Sequence, residues 1–405
     1  MLAPQDGRAV IPREVWVLGF VSLCMDLSSE MVHALLPLYL VTVLGASTLV
    51  VGIVEGIAEA TAMIVKVFSG VLSDRWRRRK PLVLLGYGMA ALSKFVFPLA
   101  PTLGWIVAAR FVDRVGKGIR GAPRDALIAD ITPGAVRGRS FGLRQALDTV
   151  GAIGGPLAAL GAMAYFVNDF RMAFWIAVVP AVLAVLLIVA GVHEAHRDAG
   201  GSSPPSRRPW RDFDLLPAAF WFLVAVGAVL TLARFSEAFL VLRAHDVGLD
   251  IAMAPLVMVA MAIVYAVSAY PAGVALDRGQ GLALLGGGLV ALIGADMLLA
   301  AARSPGPVLA GAALWGLHLG LTQGLLAALV AAAAPAHLRG TAFGVFNLAS
   351  GVALLLASVL AGWLWDALGP AYTFYAGAAF SALAGAGLWL RRHAIAALGK
   401  HGAGA

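Results

Sequence analysis

Arg110-Phe-Val-Asp-Arg-Val-Gly-Lys-Gly-Ile-Arg-Gly-Ala-Pro-Arg-Asp-Ala-Leu-Ile-Ala-Asp130 is the stretch on which the reading of this chain turns. An apolar run, Trp105 to Ala109, leads into it, and long apolar segments flank it on both sides. Yet it carries Arg110, Asp113, Arg114, Lys117, Arg120, Arg124, Asp125 and Asp130. Wound as a helix at roughly 100° per residue, all of these except Asp130 fall within an arc of roughly 140°. Phe111, Val115, Ala122, Ala126 and Ala129 take the opposite side. A helix lying on a membrane surface would keep such a face in water. A helix crossing the membrane must turn it into protein or a polar cavity. Five cations at about 3 kcal/mol each amount to roughly 15 kcal/mol, as much as a whole fold is worth, so they need partners, water or a substrate.

The composition favours crossing. Of 405 residues, 60% are hydrophobic and only 13% charged, against about 25% charged in an ordinary soluble protein. Many stretches approach ~20 apolar residues, the signature of a polytopic α-helical membrane protein. The short alternating segments of a β-barrel are absent. The first apolar segment is too long for a cleavable leader and holds Asp26 and Glu30. Cys24 is the single cysteine, so no internal disulfide forms. The net charge of +8 sits in short loops and membrane helices and is no sign of nucleic-acid binding. No phosphate loop, zinc spacing or nucleophile–base pair stands out, so neither an enzyme nor a cofactor is expected.

Twelve spans are expected, near 15–42, 47–71, 81–101, 103–130, 141–165, 171–192, 215–243, 251–275, 281–302, 306–332, 340–365 and 371–391. Hydropathy alone would miss the fourth. Arg75, Arg77, Arg78, Arg79 and Lys80 lie between spans 2 and 3, Arg137 and Arg139 between 4 and 5, and Arg197, Arg207, Arg208 and Arg211 between 6 and 7. Arg278, Arg339, Arg391 and Arg392 continue that alternation, while the other loops hold only Arg171, Arg243 and Arg303. The positive-inside rule then puts both termini in the cytoplasm, provided the charged fourth stretch crosses.

One long hydrophilic break, residues 193–213 with GGSSPPSRRP inside it, reads as a cytoplasmic linker between two six-span halves, 1–192 and 214–405. The halves echo each other. Gly70-Val-Leu-Ser-Asp74-Arg75 follows span 2, and Gly273-Val-Ala-Leu-Asp277-Arg278 follows span 8.

On these motifs the chain resembles the major facilitator superfamily of secondary transporters over essentially its whole length. The family's loop motif is matched by Gly70, Leu72, Asp74, Arg75, Arg78 and Arg79, with Arg77 in place of its second glycine. Arg110 matches the arginine of the helix 4 motif. Gly151, Gly155 and Pro156 match the antiporter motif of helix 5, whose last two glycines are here Ala159 and Leu160. Within the superfamily, the Asp113–Asp130 run and Asp26-Leu-Ser-Ser-Glu30-Met resemble a bacterial subgroup that includes nickel-resistance-type exporters, without the histidine-rich tail those often carry.

The resemblance implies an all-α fold of twelve helices in two pseudo-symmetric halves that rock about a central site. It implies gating by Gly70, Asp74 and Arg75, with Arg75 pairing Asp130 and with Asp277 and Arg278 as the echo. It implies close helix packing at Gly151 and Gly155 and a bend at Pro156. It also places helices 1 and 4 on the cavity, in a monomer of the bacterial inner membrane.

The charged faces fit that frame. Asp26, Glu30 and His33 share one face of span 1, and Glu55, Glu59 and Lys66 one face of span 2. Arg144 and Asp148 lie one turn apart on span 5, and Lys94 sits on span 3. The first half therefore embeds eight cations and seven anions, a balance that favours mutual pairing and leaves the sign of the substrate open. Asp26 and Glu30 are the first choice for carrying protons, Glu55 and Glu59 the second. His33 joins the relay or simply hydrogen-bonds in the bundle. Arg110, Asp113, Arg114, Lys117, Arg120, Arg124, Arg144 and Asp148 are candidates for the cavity wall. In the second half Arg234 and Glu237, expected to form a local salt bridge, and His318 join them. Met253, Met258 and Met261 read as packing, and Cys24, Met25, Met31 and His33 have no decisive ligand spacing, so no metal site is assigned. The expected function is proton-coupled efflux of a metal ion, metal complex or drug-like molecule by alternating access. A proton-coupled importer, a sodium-coupled carrier and a non-transporting receptor of the same fold are the alternatives.

Overall fold

The computed structural model describes residues 10–76, 79–192, 216–335 and 338–390. The expected linker and both termini fall outside them. Among the described residues every regular element is helical: α1 (Arg13–Leu38), α2 (Thr48–Trp76), α3 (Lys80–Leu99), α4 (Leu103–Ile131), α5 (Arg137–Tyr165), α6 (Phe170–Gly191), α7 (Ala218–Leu232), α8 (Ala238–Asp246), α9 (Leu256–Asp277), α10 (Gly281–Ala301), α11 (Pro305–Ala333), α12 (Arg339–Leu368) and α13 (Pro370–Leu390). Helices satisfy their own backbone groups, which hydrocarbon cannot.

Ten of the described helices are long and apolar enough to cross a membrane. The charged α4 is not one of them. It is nevertheless 29 residues long, enough for about 44 Å, and it packs along α2 and α3 within the bundle. Glycine makes this possible. A Cβ on Gly116 would lie 2.6 Å from the Gly86 carbonyl oxygen, and one on Gly118 2.9 Å from that of Ala62.

The seventh span is not one helix. α7 stops at Leu232 and α8 starts at Ala238, with residues 233–237 non-helical between them. This corrects the continuous span expected over 215–243. The break is held by the surrounding bundle. The Ser236 amide donates to Ser358 Oγ of α12 at 3.1 Å. Phe235 sits among Phe239, Trp315 and Phe374, with ring centroids 5.3–5.6 Å away. Arg243 then ties α8 to the end of α10, donating to the carbonyls of Leu299 at 3.0 Å and Ala302 at 2.7 Å.

The two ends of the bundle differ. At the end away from the Arg-rich connections one apolar core runs through both halves, from Leu35, Tyr39 and Phe174 to Phe239, Leu299 and Trp315. At the basic end the apolar clusters belong to one half each. α2 and α12 carry the main seam between the halves, almost backbone to backbone. A Cβ on Gly362 would meet the Thr48 carbonyl oxygen at 2.5 Å, and one on Gly56 would meet Leu355 Cα at 3.1 Å. At the closed end Asp366 of α12 caps the first turn of α2. Its Oδ1 accepts from Thr48 Oγ1 at 2.5 Å and from the Thr48 amide at 3.2 Å, and its Oδ2 accepts from the Leu49 amide at 2.9 Å.

Candidate functional site

The charged face of α4 meets α2 in register. Arg110 Nη2 donates to Glu55 Oε2 at 2.6 Å, and Arg114 Nη1 to Glu59 Oε1 at 2.9 Å. Both acids and both arginines are four residues apart, one helical turn, so the second pair repeats the first. Lys94 of α3 donates to Asp113 Oδ1 at 2.8 Å, and Arg114 Nε approaches Asp113 Oδ2 at 3.2 Å. Glu55, Lys94, Arg110, Asp113 and Arg114 are each at most 2% exposed. An embedded charge of this kind persists because it is paired.

Nearer the basic end the network loosens. Arg120 stacks over the Tyr87 ring at 4.6 Å and reaches Asp26 Oδ1 at 3.9 Å. Arg124 Nη1 donates to Ser22 Oγ at 2.8 Å, and its Nε pairs with Asp125 at 3.1 Å. Arg144 pairs with Asp148 one turn along α5. α5 lies tight on α1 at Asp26 and Glu30, the first choice for carrying protons. A Cβ on Gly151 would stand 3.0 Å from Asp26 Cβ, and one on Gly155 2.5 Å from Glu30 Cβ. Pro156 is accommodated inside α5.

His33 joins the halves. Its Nδ1 lies 2.8 Å from Arg110 Nη2. A guanidinium only donates, so Nδ1 accepts, and the proton of the neutral ring is on Nε2. Nε2 faces Glu237 Oε2 of the second half at 3.9 Å. Here the expected Arg234–Glu237 salt bridge is corrected. The chain break removes both residues from a common helix face, Glu237 turns to His33, and Arg234 has no ion pair among the described residues. His318, 1% exposed, has its Nδ1 2.8 Å from the Gly288 carbonyl oxygen, while its Nε2 has no partner among the described residues.

The gating set is only partly placed. Asp130 pairs with Arg79 Nε at 3.0 Å, whereas the side chains of Asp74 and Arg75 lie outside the described ones. Gly70 is in ordinary contact with Ala122 of α4. Asp277 and Arg278, at the end of α9, are exposed. Three participants had no signal in the sequence reading. Tyr87 is buried between Ser22 and the α4 arginines. Asp296 is 0% exposed, with neither carboxylate oxygen partnered among the described residues. Asp366 is the third. Asp296 corrects the view that the second half embeds only Arg234, Glu237 and His318.

Two six-helix halves, one charged and one largely apolar, joined at a buried centre, define a polytopic membrane transporter. The family model described as Major Facilitator Superfamily matches residues 18–242 and 231–404, and the chain belongs to that superfamily. It is 31% identical over 383 residues to an uncharacterised MFS-type transporter of Methanocaldococcus jannaschii, covering 93% of this chain and 94% of that one. It is 26% identical over 220 residues, 54% of each chain, to the quinolone resistance protein NorA of Staphylococcus aureus. A crystal structure of a mutant of the nucleoside transporter NupG superposes with a TM-score of 0.79 at 15% identity, over 93% of this chain and 99% of that one, and supports the fold alone.

Proposed function

We propose that the chain exports a small organic solute in exchange for protons, by alternating access, from the cytoplasm of a bacterium across its inner membrane. It acts as a carrier and not as an enzyme, and both termini are cytoplasmic. One observation carries the reading. A network of embedded polar side chains crosses from one half to the other at His33 and Glu237, just where a shared apolar core gives way to clusters confined to one half each. Rocking the halves about that plane would open one end while shutting the other, and would make or break the His33–Glu237 contact on every cycle. A proton acceptor whose cationic neighbour moves loads on one side and releases on the other. Asp26 and Glu30 suit this role, because they line α1 beside this contact and have looser partners than Glu55 or Glu59. Among the described residues no three His, Cys, Asp or Glu side chains are grouped as metal ligands, which favours the organic solute over a bare metal ion. The similarity to a quinolone resistance protein supports outward transport.

The test is proton flux in proteoliposomes with a trapped pH dye, for wild type, Asp26→Asn and Glu30→Gln. Solute-dependent proton movement in wild type, abolished in a folded variant, is the expected result. Solute transport with no proton movement would sink the coupling.

A further inference from the structure

The side chains around His33 hold the parts of a second hydrogen-bonding arrangement. His33 Nδ1 accepts from Arg110 Nη2 at 2.8 Å and lies 3.5 Å from Glu55 Oε2. Glu55 Oε1 is buried with no hydrogen-bond partner among the described residues, and so are Nε and Nη1 of Arg110. The guanidinium has another acid to turn to, since its Nη1 stands 4.0 Å from Asp113 Oδ2. On the far side of the ring, Nε2 and Glu237 Oε2 are 3.9 Å apart, too far for a hydrogen bond. Buried donors and acceptors left unmatched are costly, and here they surround one imidazole.

The neutral ring has one lone pair, on Nδ1, and two occupants can take it. With Arg110 there, the ring stays neutral and meets Glu237 only as a dipole. With a proton there, the guanidinium must withdraw, because two donors cannot share one acceptor position. The new N–H bond forms at Nδ1 and the Arg110 hydrogen bond to it breaks. Glu55 can hold both groups, because Oε2 already binds Arg110 at 2.6 Å and Oε1 is free to accept. The ring is then a cation, and Nε2–H can close on the Glu237 carboxylate in a charge-assisted bond. Glu237 has no other ion-pair partner among the described residues.

The ionisable groups facing the ring are Glu30 on its own helix, Glu55 and Glu59 of α2, Arg110 of α4 and Glu237 of the second half. α5 has no ionisable residue between Thr149 and Ala164, α6 has only Arg171 in its first turn, and those of α8 lie in its last turn. We propose that His33 carries a proton of the exchange and acts as a latch between the halves, its Nδ1 holding Arg110 when neutral and a proton when charged, and the charged ring fastening Glu237. This rests on the antiport reading above and adds the group that reads the proton. A protonated ring ties the halves in the conformer described here, so the tie is present at low pH and is lost as pH rises. The loaded carrier then waits open to the basic side and turns outward only after the proton has left.

Two measurements on the full-length protein in nanodiscs test this. Nitrogen resonances of histidine-labelled protein, with the His33 signal identified by its loss in His33→Gln, are expected to show the Nε2–H tautomer at high pH and an imidazolium at low pH. Spin labels at the exposed Val43 and Leu368, on a background lacking Cys24, report the shut end. The closed-to-open ratio is expected to fall about tenfold or more from about pH 5 to about pH 9 in wild type. That response is expected to flatten in His33→Gln and in Glu237→Gln, and to return in part in Glu237→Asp. The Glu237 side chain is 32% exposed, so its variants remain informative if His33→Gln does not fold. A His33 ring neutral across the whole range, or a wild-type pH response in Glu237→Gln, overturns the latch. Solute-dependent proton flux retained in folded His33→Gln overturns the proton-carrying role and leaves antiport standing. No such flux in wild type, with the His33-dependent pH response present, keeps the latch and removes the antiport it would serve.

Discussion

At the scale of single residues the site contains two grades of ion pair, and they respond differently to substitution. Glu55 is 0% exposed and holds Arg110 at 2.6 Å. Glu55→Gln strands a buried guanidinium and is expected to cost about 3–5 kcal/mol, read as a loss of thermal stability in detergent. Asp26 is 27% exposed on its side chain and only 3.9 Å from Arg120. Arg120 is itself buried but also stacks on the Tyr87 ring, so Asp26→Asn is expected to cost less than Glu55→Gln in the same measurement, and a coupling defect in a variant that keeps its thermal stability reports function, not misfolding. Near-wild-type stability in Glu55→Gln would show that the pair is not the brace its burial implies. This division is half legible in the sequence. The spacing of Glu55, Glu59, Arg110 and Arg114 announces partners on facing helices, because helical periodicity alone sets it. Asp296 announces nothing: it stands alone in Gly-Ala-Asp-Met, with no polar residue one turn away on either side, and its meaning comes only from what fails to meet it in space.

At the scale of elements, two contrasting glycines of α5 make the packing testable. Gly155→Ala pushes a methyl into Glu30 Cβ and the Leu27 carbonyl oxygen, at 2.5 and 2.9 Å, and is expected to destabilise by about 1–3 kcal/mol. Gly161, on the same helix, has nothing within 4 Å of an added Cβ, and Gly161→Ala is expected to stabilise by about 0.5–1 kcal/mol. Thermal unfolding of the two variants side by side checks both signs. The broken seventh span is the element that the sequence conceals. Residues 230–240 contain neither Pro nor Gly, and local propensity runs straight through them. The break is imposed from outside, by Ser358 on the Ser236 amide and by the aromatic nest around Phe235. Phe235→Ala empties that nest and is expected to cost about 3–5 kcal/mol. By contrast, α4 could be read from the sequence, because the alternation of basic loops requires it to cross and a crossing helix must turn such a face into protein or a polar cavity.

At the scale of the whole molecule, the two-half organisation is written in the repeated Gly-x-x-x-Asp-Arg motif and in the alternation of basic loops, both properties of sequence order. How the halves meet is not, because the residues that decide it are far apart in the chain. Thr48 and Asp366 are separated by 318 positions. That contact has a consequence for timekeeping. The carboxylate holds the start of α2 only while this end is shut, so it contributes to one conformer and not to the other, which shifts their resting ratio. Losing about 2 kcal/mol of such bonding would change the ratio about thirtyfold. Asp366→Asn is therefore expected to raise the fraction of molecules open at this end. Spin labels at the exposed Val43 and Leu368, on a background lacking Cys24, would report it as a longer distance population; an unchanged distribution would show that the clamp is neutral between conformers. Gradients still set the direction of net flux. The clamp bears on the queue: with it in place the idle carrier is expected to wait with its site turned to the basic side, so that solute there is sampled first.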